Sequence, residues 1–210
     1  MNGKFISIEG IEGAGKSTQL TFIADYLRDK GIDVLVTREP GGTELGEQIR
    51  DLLLTPRDEK MVDDAELLLM FAARVQHIQQ KVLPALKNGQ WVVSDRFVDA
   101  TFAYQGGGRG IAFDRIEALA KWSLQGVSTD LTFLFDLPVA LGQQRVSTRG
   151  NAKDRIEMEK HSFFDKVRQC YLQVAEGEPQ RVKIIDAAES VDNIQQQLTA
   201  HLNQLLAEIT

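Results

Sequence analysis

Eight residues, Gly10-Ile11-Glu12-Gly13-Ala14-Gly15-Lys16-Ser17, follow directly on an apolar run of strand length, Phe5–Glu9, and lead into a stretch of helical period. Glycines at this spacing let the backbone wrap so that successive N–H groups point at one anion, and the helix that follows adds the positive end of its dipole. The G-x-x-x-x-G-K-S/T pattern between a strand and a helix predicts a cradle for a nucleoside triphosphate. Lys16 would reach the β and γ phosphates and Ser17 would hold Mg2+. The loop says what is bound, and leaves open what is done with it.

A loop of this kind demands a parallel sheet, and the rest of the chain supplies one. Short apolar runs at Phe5–Glu9, 33–38, Trp91–Asp95, Leu131–Asp136 and 183–186 read as strands. Stretches of helical period at 16–30, 43–54, 63–88, 114–125, 139–149, 157–175 and 191–209 separate or follow them. The alternation predicts an α/β fold, a five-stranded parallel sheet with helices on both faces. At 210 residues the chain suits a single domain, 1–210. The strands ending in Asp95 and Asp136 emerge where ligands of open α/β sheets bind. Three glycine-dense loops, at 10–15, 41–42 and 106–110, are candidates for anion contact.

A net charge of −6 argues against general affinity for nucleic acid or an anionic membrane. Anionic ligands must instead meet a local cationic cluster. One cysteine cannot close an internal disulfide, the N-terminal segment has no signal-peptide pattern, and the longest apolar run, 67–73, is too short to span a membrane. The cytoplasm is the expected compartment.

Folds built on such a loop include GTPase switches, ATPase motors and small-molecule kinases. The chain has no guanine-reading N-K-x-D, and its length leaves no room for a motor's partner domains. A kinase needs a second anion site for the acceptor and arginines over the moving phosphoryl group. Arg38 and Arg50 bracket the Glu39-Pro40-Gly41-Gly42 loop, Arg96 closes the third strand, and Arg145, Arg149 and Arg155 surround a glycine-containing loop. Arg74 lies mid-helix in the apolar stretch 68–73, where a buried guanidinium needs a partner. Either a ligand or a structural carboxylate could supply it.

Five motifs together resemble thymidylate kinase along nearly the whole chain, from Phe5 to about Asp186. They are 10–18, Thr37-Arg38-Glu39-Pro40-Gly41-Gly42, Phe71-Ala72-Ala73-Arg74, Asp95-Arg96-Phe97 through Tyr104-Gln105-Gly106-Gly107-Gly108-Arg109, and Arg149-Gly150 through Asp154-Arg155-Ile156-Glu157. The resemblance implies an ATP-dependent transferase in the phosphate-binding-loop superfamily of nucleoside monophosphate kinases. It would move the γ-phosphoryl of ATP to dTMP, yielding dTDP for dTTP synthesis. Gly10 through Thr18, with Arg145 and Arg149, would bind ATP. Glu12 would lie by the sugar 3′-hydroxyl, and Arg96 would hold the acceptor phosphate with help from Arg38 and Arg50. Asp95 would bind Mg2+ through water. Arg74 and Thr101 would read thymine, Tyr104 would crowd the 2′ side of the sugar, and Pro40, Gln105 and Arg155 would complete the acceptor site. Where many relatives stack an aromatic on thymine this chain has Met70, with Phe71 the next residue, so either side chain could meet the base. The family has a form with a basic residue inside the loop and a form with arginines in the lid. Gly13-Ala14 together with Arg145, Arg149 and Arg155 resembles the second, bacterial form, with a lid at about 149–156. Residues 150–153 look one residue longer than in some relatives, which leaves open which arginine closes; Arg149 is the first choice.

The expected chemistry is direct in-line transfer that needs no general base, because the acceptor phosphate is already an anion. Lys16, Arg96, Arg149 and Glu12 are the expected catalytic residues, and lid closure would exclude water. His77, His161 and His201 show no metal-ligand spacing and read as packing or surface residues. Cys170 reads as a buried, inert thiol. The long helix is apolar on more than one side, which suggests a homodimer. The competing readings are a kinase for another base and a nucleotide-binding regulator without turnover.

Overall fold

The computed structural model describes residues 3–148, 150 and 152–208. Five strands, β1 (Phe5–Glu9), β2 (Val34–Arg38), β3 (Trp91–Asp95), β4 (Leu131–Asp136) and β5 (Val182–Asp186), form one sheet in the order β2-β3-β1-β4-β5. Every pairing is parallel; Ser7 on β1 stands opposite Ser94 on β3 and Thr132 on β4. The fold expected from the alternation is the one found.

Side chains on successive residues of a strand point to opposite faces. Ile6 and Ile8 therefore pack with α1 (Lys16–Asp29) and α9 (Val191–Ala207), whereas Phe5 joins Val92, Phe97 and Ile78 on the other side. Ile194, Leu198, Leu202 and Leu205 form the buried stripe of α9. Each buried side chain of this kind contributes on the order of 1.5–3 kcal/mol from area removed from water. On the opposite face lie α2 (Glu44–Leu54), α3 (Asp63–His77), α5 (Val98–Thr101), α6 (Phe113–Leu124) and α8 (His161–Gly177). Thr43 caps α2 by accepting a hydrogen bond from Gly46 N at 3.0 Å.

The expected helix at 63–88 is α3, a π-helical turn at Ile78–Val82 and α4 (Leu83–Lys87) in succession. Pro84, which has no N–H to donate, stands at the start of α4, and the hydrogen-bond ladder widens just before it. The expected helix at 157–175 begins later, at His161. Asp154 accepts hydrogen bonds from the N–H groups of Ile156 and Glu157, closing a separate turn that stops short of α8. α7 (Val139–Ser147) ends before 149, itself outside the described residues.

The glycine-dense loop expected at 106–110 is corrected in part. Residues Phe102–Gly108 continue α5 as a π-helix, and its glycines face protein. A methyl group at Gly107 would lie 2.7 Å from the Cys170 β-carbon, and those at Gly106 and Gly108 would meet the rings of Phe113 and Phe163. The glycines let α8 approach, and they present the preceding residues to the cleft.

Candidate active site

The carboxyl ends of β1, β2 and β3 open onto one cleft, the place where ligands of open α/β sheets bind. Its phosphate end is formed by Glu12, Gly13, Gly15, Lys16 and Ser17 with Asp95 and Arg96. Gly10, Ile11, Ala14 and Thr18 complete the loop and first helical turn behind these residues. Lys16 Nζ donates to the carbonyls of Gly10 at 3.0 Å and Ile11 at 2.9 Å. Burial, reinforced by Arg96, lowers the Lys16 ammonium to about 8. Arriving phosphates would raise it again.

Arg96 has φ 72, a left-handed conformation that a side-chain-bearing residue adopts only when its surroundings compel it. Its N–H donates to Ile8 O at 2.9 Å, its carbonyl accepts from the Ser94 hydroxyl at 2.7 Å, and the next N–H, of Phe97, donates to Glu9 Oε1 at 2.7 Å. The guanidinium is thereby aimed at Glu12 Oε1, 2.8 Å away, and at the hydroxyls of Tyr104 and Tyr171. Burial, aided by the Glu12 carboxylate, keeps the Tyr104 phenol well above its ordinary range, so it remains a donor to Glu12. Glu9 and Tyr171 are two members of this network that the sequence does not disclose. Glu9 is pushed up to about 8 by burial and the nearby Asp99 charge. Its signal is only a carboxylate inside a buried strand. Nothing local marks Tyr171, which arrives from α8.

The other end of the cleft is lined by Pro40, Arg50, Leu54, Met70, Arg74, Thr101 and Gln105. Arg74 is 3% exposed and finds a structural carboxylate: Nε donates to Glu39 Oε2 at 2.7 Å. Nη1 donates to Thr101 Oγ1 at 2.9 Å and Nη2 to Phe97 O at 3.1 Å. Of the two candidates beside the base, Met70 lines the cleft. Phe71 is buried with Leu67 and Ile116, its ring 5.1 Å from the Arg74 guanidinium carbon. Arg50 donates to Pro40 O at 2.9 Å.

Other expected residues stand apart. Arg38 is half exposed, pairs with Glu47 at 2.6 Å and faces a neighbouring groove shared with Ser17 and Asp95. Arg155 turns from the cleft to Leu53 O at 2.7 Å and to Glu66 at 2.6 Å. Arg145 donates to Ala187 O at 3.0 Å and reaches Gly13 O at 3.4 Å, beside the phosphate loop. Arg149 lies outside the described residues. Asp154, Ile156 and Glu157 also line the cleft. Cys170 is buried, and burial raises its thiol to about 11, in keeping with an inert role. His77 is fully buried and hydrogen-bonded at both ring nitrogens, more than ordinary packing requires.

Asp95 Oδ1 is buried and receives no hydrogen bond from a described residue. An acceptor orphaned in this way, in the cleft that Ser17 also lines, fits a hydrated cation or its water. Among the described residues no group of three or more His, Cys, Asp or Glu could hold a metal by itself. Substrate oxygens would therefore have to complete the coordination. No helix among the described residues is long and apolar enough to cross a membrane.

A family model described as thymidylate kinase matches residues 8–198. A thymidylate kinase of Ruthia magnifica subsp. Calyptogena magnifica is 53% identical over 203 residues, covering 97% of this chain and 98% of that protein. One from Alcanivorax borkumensis is 51% identical over 207 residues, covering 99% of each. The crystal structure of a thymidylate kinase from Ehrlichia chaffeensis superposes with a TM-score of 0.78 at 31% identity, covering 96% of this chain and 99% of that one.

Proposed function

We infer the action of this chain from the premise that it belongs to the thymidylate kinase family: it transfers the γ-phosphoryl group of ATP to dTMP, giving dTDP and ADP. The observation that carries the reading is one continuous cleft. A phosphate loop with a buried lysine stands at one end, and a buried arginine with unspent donors stands at the other.

We assign the roles as follows. Lys16 leaves the Gly10 and Ile11 carbonyls for the β and γ phosphates, and Arg145 and Arg149 neutralise the moving group from the lid side. Arg96 holds the dTMP phosphate, drawn from Glu12, whose carboxylate then serves the 3′-hydroxyl. An acceptor phosphate oxygen bonds to the γ-phosphorus as the bond to the β–γ bridging oxygen breaks. No proton need move, since the acceptor is ionised at neutral pH. Ser17 and Asp95 would hold Mg2+, Asp95 through water; the ion would supply positive charge that offsets the charge of the ATP phosphates. Enzymes of this family generally need a divalent metal, and Mg2+ is the one whose hydrated shell suits this donor set.

Base selection follows from donor arithmetic. Three of the five guanidinium N–H groups of Arg74 are taken by Glu39, Thr101 and Phe97, so two remain for the O4 carbonyl of a pyrimidine. Thr101 Oγ1 keeps a lone pair for N3–H. Cytosine offers the opposite pattern at both positions. Tyr104 crowds the 2′ side of the sugar, Met70 and Pro40 flank the base, Gln105 and Arg50 complete the acceptor site, and Arg38 and Arg155 would join it only on leaving Glu47 and Glu66.

The same reading takes residues 149–156 as a lid on a single domain and the cytoplasm as the compartment. A homodimer is supported by Trp122 on α6, 72% exposed, and Leu68 on the adjoining α3, 56% exposed. No role with nucleic acid or membranes is assigned, in keeping with the net charge of −6. The test is ADP release from ATP and magnesium with dTMP, dUMP, dCMP, GMP or AMP as acceptor. Turnover that peaks with dTMP is the expected result. A peak with another base, or none at all, overturns the reading.

A further inference from the structure

Arg74 is seated on a chain of buried polar contacts that starts at Glu39, on the cleft wall, and runs back to His77 and Thr37; transfer itself has no use for it. Glu39 accepts Arg74 Nε on Oε2 and meets His77 Nδ1 on Oε1 at 2.9 Å, and His77 Nε2 meets the Thr37 hydroxyl at 2.6 Å. Glu39 is 4% exposed and His77 0%. Burial opposes ionisation of Glu39, but Arg74 and His77 outweigh it and hold the carboxyl below its ordinary range. An ionised carboxylate only accepts, so His77 Nδ1 is the donor. In the neutral ring Nε2 is then the acceptor for the Thr37 hydroxyl.

Two members of this chain, Thr37 and Glu39, come from the segment Thr37-Arg38-Glu39-Pro40-Gly41-Gly42. Gly42, at φ 79, is pressed against it: a β-carbon there would lie 2.6 Å from His77 Cδ2 and 2.7 Å from Thr37 Oγ1. Any larger residue would push His77 off Glu39. A segment that reads in the sequence as an anion-binding loop thus has its Thr, Glu and second Gly committed to one histidine and one arginine of α3.

We propose that Glu39, His77 and Thr37 are positioning residues for base selection, a relay that fixes the rotation of the Arg74 guanidinium so that its two unspent N–H groups face the cleft. The inference rests on the assignment of Arg74 to the base. A guanidinium on a three-carbon stem can turn about its long axis, and each turn exchanges which N–H groups point outward. Seating Nε on Glu39 removes that freedom, and His77 removes the freedom of Glu39. A hydrogen-bonding site discriminates strongly only when its donors are held in place.

The test is steady-state kinetics on the full chain with dTMP and dCMP as competing acceptors. His77→Leu fills similar space without either hydrogen bond. We expect KM for dTMP to rise and the preference for dTMP over dCMP to fall by roughly 10-fold, the scale of one lost charge-assisted bond. The values of kcat and of KM for ATP stay near those of the parent. His77→Asn, whose amide nitrogen can occupy the place of Nδ1, recovers most of the preference. In an Arg74→Ala background His77→Leu adds no further loss, because residues acting through one another are not additive. A folded His77→Leu protein that keeps its preference overturns the proposal, as does an equal loss in both backgrounds. If His77→Leu does not fold, Thr37→Val carries the same comparison, and an unaltered preference there overturns it too. Unchanged preference in Arg74→Ala alone is a separate result: it removes Arg74 from base reading and takes this inference with it.

Discussion

The two ends of the cleft are built on different length scales. At the phosphate end Lys16 bonds to carbonyls five and six residues away, and the loop, the lysine and Ser17 come from one unbroken run. At the base end Arg74 bonds to partners 23, 27 and 35 residues away, and His77 reaches 40 residues back to Thr37. A site of the first kind is encoded locally and forms wherever a strand meets a helix through the right glycines. One of the second kind exists only after β2, α3 and α5 have docked. Damage to the groups that meet ATP should therefore stop chemistry and leave dTMP recognition alone. At the base end damage should blur recognition and leave chemistry largely alone.

The largest break in that division is expected from Arg149→Ala. Turnover should fall by roughly 10²–10⁴, the range for charge donors in phosphoryl transfer, while dTMP affinity, measured by calorimetry, hardly moves. An equal loss of dTMP binding would transfer Arg149 to the acceptor site. Arg74→Ala is the counterpart at the far end. It should lower kcat/KM for dTMP by about 10²-fold, mostly through KM, and erode discrimination against dCMP.

A third change sharpens the contrast by attacking the docking itself. Gly107→Ala puts a β-carbon 2.7 Å from that of Cys170 and 3.0 Å from Lys166 O, so the π-helix and α8 must part. Overpacking of this kind costs about 1–3 kcal/mol, readable as a lower urea midpoint. Because Thr101, Tyr104 and Gln105 ride on that segment, KM for dTMP should rise more than KM for ATP.

A fourth change concerns pH. Glu9 titrates near 8 in the folded chain against an ordinary value of 4.5, raised by burial and Asp99, so the fold holds a proton that the unfolded chain has lost across that window. Its contribution to stability is full below the lower value and lost as pH rises through the upper one. Glu9→Gln should flatten the fall of the thermal midpoint between about pH 5 and pH 9. A slope identical to that of the parent would show that Glu9 does not titrate there.

Much of this was legible beforehand. Three strands, β1, β3 and β4, were read to the residue, because buried parallel strands are continuous apolar runs and turn residues punctuate them. The misread elements, at 106–110 and 157–160, are places where local signals compete with contacts from elsewhere. Glycines that signal a loop serve close helix packing in the first, and an Asp154 turn interrupts a helical period in the second.

The amino-acid order by itself determined the sheet, the phosphate cradle and the residue types at the acceptor end, because those depend on periodicity and on contacts a few residues apart. Tertiary structure alone decided which side chains meet. Met70 and not Phe71 lines the cleft, Arg74 is seated on Glu39, which His77 braces, and Arg96 bonds to Tyr171 while Glu9 holds the Phe97 N–H beside it. The physical reason is that a buried charge must find its partners in space, and no pattern along the chain records which distant carboxylate will be near it once the helices have packed.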